Sequence, residues 1–178
     1  MSENRITIVD LDVDLDAAAV RALEVTDWLL ESRVVIRNPN PDAIMQPSDL
    51  VPGPRVTEAS PEAHQFIGLW NNGVDVVARR ELHHPFGNEE AAPCPVCGTA
   101  MPDGDRDSIE AWIEGVEPIV TCGTCGTPNR IGDWVHPFTF YVGNLAVCFN
   151  NWSPLTDEFT TKLGDRLGHR WRVVLAHI

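Results

Sequence analysis

The chain has 178 residues and a formal net charge of −13, from 26 acidic side chains against 13 lysines and arginines. That balance disfavours nucleic acid as a partner, because phosphate contacts need Lys and Arg to release counterions. Hydrophobic residues make up 43% of the chain, enough for the core of one domain with an insertion, and there is no apolar run of the roughly 18 residues that a membrane helix needs.

The start, Met1-Ser2-Glu3-Asn4-Arg5, lacks the basic region and apolar core of a secretory signal, so a reducing cytoplasm is expected. Lys162 is the one lysine among the 13 basic residues, and with plentiful Ala, Gly and Pro this fits a GC-rich bacterial genome. Arg5 to Val13 reads as a strand, β-branched early and alternating later. Asp10, Asp12, Asp14 and Asp16 recur at period two, which places them together as the wet face of a half-buried strand. Asp14 or Asp16 is expected to cap the next helix, with Asp16 as the N-cap ahead of Ala17-Ala18-Ala19. Val20, Leu23, Asp27 and Leu30 lie along its apolar row, and Trp28 and Leu29 widen it. Val34-Val35-Ile36 then completes a β-α-β unit.

Six prolines, Pro39, Pro41, Pro47, Pro52, Pro54 and Pro61, make residues 38–61 a Pro-rich loop, with Ala43-Ile44-Met45 and Leu50-Val51 packed on the body. Ser60-Pro61-Glu62 signals a helix start, with Phe66, Ile67, Leu69 and Trp70 as its apolar residues and Asn71-Asn72-Gly73 as its stop. A hairpin turning at Asn72-Gly73 is the alternative. Val74 to Arg79 reads as a strand that leads to the cysteines.

Those cysteines come as two matching pairs, Cys94-Pro95-Val96-Cys97-Gly98 and Cys122-Gly123-Thr124-Cys125-Gly126, with 24 residues between Cys97 and Cys122. Four thiolates so spaced suit tetrahedral zinc, and the glycine after each pair permits the sharp turn that aims backbone N–H groups at sulfur. A redox centre needs only one such pair, and two disulfides would need an oxidising compartment. Iron also binds four thiolates. Over residues 92–132 the pattern resembles the zinc-ribbon family with rubredoxin-like knuckles. The resemblance implies a structural Zn2+ held by Cys94, Cys97, Cys122 and Cys125, with no open position for catalysis. Between the pairs, Asp103-Gly104-Asp105 is a predicted turn, and the run to Asp107 lacks the glycine position and distal glutamate of a calcium loop.

Beyond the cysteines, Asn144 to Asn150 is a strand with Leu145, Val147 and Phe149 on one face and Cys148 on the other. Leu155, Phe159, Leu163 and Leu167 then recur at four-residue spacing in a helix that Gly168 stops, and His169 to Leu175 is the closing strand. This is a second β-α-β unit. Two such units predict an α+β fold, a ferredoxin-like sandwich with a zinc-ribbon insertion. Residues 1–88 and 136–178 would form the body, with 89–135 as the zinc-ribbon module.

Charge is uneven along the chain. Residues 1–62 carry 12 acidic and 5 basic side chains, and residues 88–135 carry 9 and 2, a balance of −7 in each case. The ribbon region offers only Arg106 and Arg130 to a phosphate. Six histidines, His64, His83, His84, His136, His169 and His177, accompany no nucleophile elbow, phosphate loop or H-E-x-x-H helix. The leading reading is a non-enzymatic zinc-binding protein with an acidic protein-binding surface for a basic partner, of inhibitor or immunity type. On it Glu110, Glu114 and Glu117 are expected to be exposed. The alternatives are a zinc-ribbon accessory of nucleic-acid machinery, which a basic face of Arg166, Arg170 and Arg172 would favour, and an enzyme with converging His, Asp and Cys148.

Overall fold

The computed structural model describes residues 4–40, 48–101 and 109–177. The expected packing of Ala43-Ile44-Met45 and the turn at Asp103-Gly104-Asp105 lie outside those residues. The first strand, β1 (Asn4–Asp10), alternates Ile6 and Ile8 toward one face with Thr7 and Val9 toward the other, and all four are buried. A 17-residue helix, α1 (Leu15–Glu31), follows, and the short strands β2 (Val35–Arg37) and β3 (Leu50–Pro52) close the first unit. Next come β4 (Gly73–Val77) and β5 (Glu81–His83), then the cysteine region with α2 (Ile109–Glu114), β6 (Ile119–Thr121) and β7 (Pro128–Arg130). The chain ends with β8 (Tyr141–Gly143), β9 (Leu145–Asn150), α3 (Asp157–Leu167) and β10 (Trp171–His177).

Six strands form one antiparallel sheet in the order β10-β1-β9-β4-β3-β2. The N-terminal and C-terminal segments therefore share a sheet across more than a hundred residues of sequence. In the second unit β9 and β10 run parallel to each other with β1 between them. In the first, β1 and β2 are parallel but β9, β4 and β3 lie between them, so β2 stands at the sheet edge.

The helices α1 and α3 cover one face. Ala18, Ala22, Val25 and Leu29 of α1 and Phe159, Leu163 and Leu167 of α3 pack on Ile6, Ile8, Val74, Leu145, Val147 and Phe149. Trp28 stacks on Phe159 with ring centroids 5.7 Å apart. The other face, presenting Val9, Ala146 and Val174, is covered by the cysteine region through Trp112, Val120, Ile131, Trp134, Phe140 and Tyr141. The alternation read from Leu145 to Asn150 thus has a partner on each side, with Cys148 on the cysteine side of the sheet.

Several local expectations are corrected. Asp14, not Asp16, caps α1: its Oδ1 accepts from the Ala17 N–H at 2.7 Å, and Asp16 lies in the first turn. The buried row of α1 is Ala18, Ala22, Val25 and Leu29, while Val20 and Leu23 are 60% and 69% exposed. Two alanines at the contact let the helix axis approach the sheet, which larger residues there would prevent. Asp27 then lies on the wet side, where a carboxylate belongs.

The four aspartates share no wet face. β1 ends at Asp10, which is only 1% exposed, and its Oδ1 accepts from the N–H groups of Asp12 and Val13 at 3.0 and 2.7 Å. A Cβ on Gly168 would lie 1.9 Å from Asp10 Oδ2, so the glycine that ends α3 also makes room for this carboxyl.

The helix expected after Ser60 is a single 3-10 turn, Ala63–Gln65. The Ser60 hydroxyl bonds the Ser153 carbonyl at 3.2 Å instead of capping, and the Asn72 amide takes the Phe66 carbonyl at 2.6 Å. Phe66 itself is buried against Trp152.

Candidate metal centre

Each cysteine pair sits at the tip of a short hairpin. The β6–β7 ladder ends at Thr121 opposite Pro128, and a single bridge between Pro93 and Ala100 closes the first pair. Inside the tips the two loops repeat one hydrogen-bond pattern. Gly98 N–H donates to Cys94 O and Gly126 N–H to Cys122 O, both at 2.9 Å. The Cys94 N–H donates to Thr99 O at 2.7 Å and the Cys122 N–H to Thr127 O at 3.1 Å. Gly98 and Gly126 have φ of 74° and 70°, a left-handed conformation that glycine adopts without Cβ strain.

The two loops bring the sulfurs of Cys94, Cys97, Cys122 and Cys125 within 4.8 Å of one another. Cys94 Sγ lies 3.9 Å from Cys125 Sγ and Cys97 Sγ lies 3.6 Å from Cys122 Sγ, and all four cysteines are free thiols. A regular tetrahedron with metal–sulfur bonds of about 2.3 Å has edges of about 3.8 Å, so the cluster has the size a zinc-like ion requires. The arrangement is consistent with a zinc-ribbon-like knuckle. Cys94 and Cys122 are buried and pack in the core on the sheet's second face, while Cys97 and Cys125 are exposed. The Val96 N–H points at Cys94 Sγ, 3.5 Å away.

Two threonines complete the pattern and escaped the sequence reading. Thr99 Oγ1 is 3.4 Å from Cys97 Sγ, and Thr127 Oγ1 is 3.4 Å from Cys125 Sγ. The signal was present, since both motifs read C-x-x-C-G-T. The Thr99 hydroxyl holds the Cys97 thiol down to about 6, and Thr127 lowers Cys125 in the same sense.

A second cluster fastens this region to the body. Arg170, on the approach to β10, is 7% exposed. It makes two parallel 2.6 Å bonds to Glu117 and reaches Asp133 and Asp12 at 2.8 and 3.1 Å. Burial opposes its charge, but Glu117 foremost, then Asp12 and Asp133, hold the guanidinium protonated well above its usual range. Glu117, expected on the surface, is therefore an internal ion-pair partner with its side chain 14% exposed. Arg80 clamps the C-terminal end of α2, donating to the carbonyls of Trp112 and Ile113.

The other singled-out residues do not converge. Cys148 is buried, burial raises its thiol, and its contact is the Thr7 hydroxyl at 3.6 Å. His83 is buried, with its pKa pushed down to about 4 chiefly by that burial. His84 packs against Phe86 with the rings tilted by 43°, His136 lies 3.5 Å from Glu90, and His64 and His169 are exposed. His177 Nδ1 pairs with Asn4 Oδ1 at 2.5 Å. A cleft of about 680 Å3 opens beside Ile6, Phe66, Leu69 and Leu175, and Cys148 and His83 are not among its walls. Among the described residues no helix is long and apolar enough to cross a membrane. Comparison with protein-family models, curated proteins and solved structures found no match.

Proposed function

We propose that this is a non-enzymatic zinc-binding protein that docks a basic protein partner through an acidic surface, as an inhibitor or immunity-type protein. Cys94, Cys97, Cys122 and Cys125 are its zinc ligands, and residues 89–135 form a zinc-ribbon module on a ferredoxin-like body widened by β3 and β4. The cluster of four sulfurs within 4.8 Å supports the metal assignment. With every ligand a thiolate the ion is structural, and a cytoplasmic setting keeps the thiols reduced.

The observation that carries the binding reading is the outer side of α2 and β6. Trp112 and Val120 are buried, yet Ile113, Val116 and Ile119 are 43%, 71% and 69% exposed beside the exposed Glu110 and Glu114. Apolar side chains set among like charges fit a partner with apolar residues flanked by Lys and Arg. The nucleic-acid alternative loses its basic face. Arg170 and Arg172 are engaged by carboxylates and the Gly132 carbonyl, and Arg166 lies over the Trp28 ring.

Affinity purification of the tagged chain, followed by association kinetics with the recovered protein, tests this reading. The on-rate should fall steeply with salt, and Glu110→Lys with Glu114→Lys should slow it without unfolding the chain. Glu117 is left intact because it holds Arg170. A salt-independent on-rate, or robust turnover of a small molecule, overturns the proposal.

A further inference from the structure

Four thiolates around one divalent ion leave a net charge of about −2 on the cluster. Here it would sit in the region of the chain whose own balance is −7. Arg130, the arginine of this region within the described residues, is paired with Asp12, Glu117 and Asp133. Relief of the sulfur charge therefore falls to neutral donors, and hydrogen bonds to an ionised acceptor are the strong ones.

The two threonines are placed for that task. The carbonyl of each is pinned by the N–H of the first cysteine in its loop, at 2.7 Å for Thr99 and 3.1 Å for Thr127. The hydroxyl of each stands 3.4 Å from the sulfur of the second cysteine. Each threonine thus spans both cysteines of its pair, and a β-branched side chain stiff at χ1 keeps the hydroxyl there. The same geometry arises twice from two independent stretches of chain. Moreover, it serves the second cysteine of each pair, and Cys97 and Cys125 are the exposed cysteines of the cluster.

We propose that Thr99 and Thr127 donate hydrogen bonds to the Cys97 and Cys125 thiolates and thereby set how tightly the cluster retains its metal. The inference rests on the four-cysteine metal reading. Both act as positioning and charge-relieving residues rather than ligands.

The test loads the full chain with Co2+ and with Zn2+, in the native form and as Thr99→Val, Thr127→Val, the double variant and the matching Thr→Ser pair. In the double Val variant the sulfur-to-cobalt charge-transfer bands should move to lower energy, because unrelieved thiolates donate more readily. Zn2+ affinity against a competing chelator should fall by roughly 10–100-fold, and Ser should restore both readouts. Far-UV circular dichroism, dominated by α1 and α3, verifies that each variant is folded. Folded Val variants with unchanged bands and unchanged affinity overturn the proposal. A native chain that takes up no cobalt instead overturns the four-cysteine reading beneath it.

Discussion

The two faces of the central sheet are held by different means. The helix side is an apolar layer: Ala18, Val25 and Leu29 from one helix and Phe159, Leu163 and Leu167 from the other close over long strands. The cysteine side has three-residue strands, a six-residue helix and 3-10 turns, none of them long enough to stand alone. Its order comes from point attachments: the sulfur cluster, the Arg170 ion pairs, the Arg80 clamp, and Trp112 and Trp134 driven into the sheet. A region with little regular structure can be well defined if a few strong local ties add to the packing of Trp112, Trp134, Phe140 and Tyr141 on the sheet.

Metal removal should break this comparison most sharply. Structural zinc in small fingers is worth on the order of 10–16 kcal/mol at neutral pH. Chelation, or Cys94→Ser or Cys122→Ser, should therefore melt the cysteine side while the helix side persists. Hydrogen exchange reads this directly: amides of β6, β7 and the knuckles lose protection, whereas those of β1, β9 and β10 keep much of theirs. Uniform loss across both faces would show that the sheet too depends on the metal.

Arg170→Ala comes next. It strands Glu117 in a largely buried site, and removing one partner of a buried pair costs about 3–5 kcal/mol. Denaturant melts should show that loss, with cysteine-side probes unfolding first. Zn2+ stoichiometry in the native baseline should be unchanged, since Arg170 touches no sulfur in its described contacts.

His83 gives a pH test on the same side. Its folded pKa of about 4 lies below the ordinary 6.5 because burial disfavours the imidazolium. The folded state binds the proton less readily than the unfolded chain. This stabilisation is complete above pH 6.5 and is lost as pH falls toward 4. It amounts to about 3 kcal/mol. His83→Phe should flatten the stability profile across that window, and an unchanged slope would remove His83 as its source.

The smallest effect is expected on the helix side. Leu23 falls on the apolar row of the α1 sequence but is 69% exposed. Leu23→Ser should change stability by less than about 0.5 kcal/mol, as surface substitutions do. A loss of several times that would restore Leu23 to the core.

Much of this architecture was legible because it is written in local chemistry. C-x-x-C-G demands a tight turn wherever it stands, and Gly98 and Gly126 adopt matching positive φ in two separate hairpins. The periods of Leu145, Val147 and Phe149 and of Phe159, Leu163 and Leu167 mark faces that the structure buries as expected. The sequence by itself thus determined the two β-α-β units, the cysteine tips and the net charge. Tertiary structure alone decided which row of α1 faces inward, that β4 and β3 enter the sheet between β9 and β2, and that Asp10 is buried rather than wet. It alone also joined Glu117 to Arg170 across 53 residues. A helix or turn depends on neighbours a few residues away, which a reader of the chain can see. Burial and ion pairing depend on groups that only the folded chain brings together.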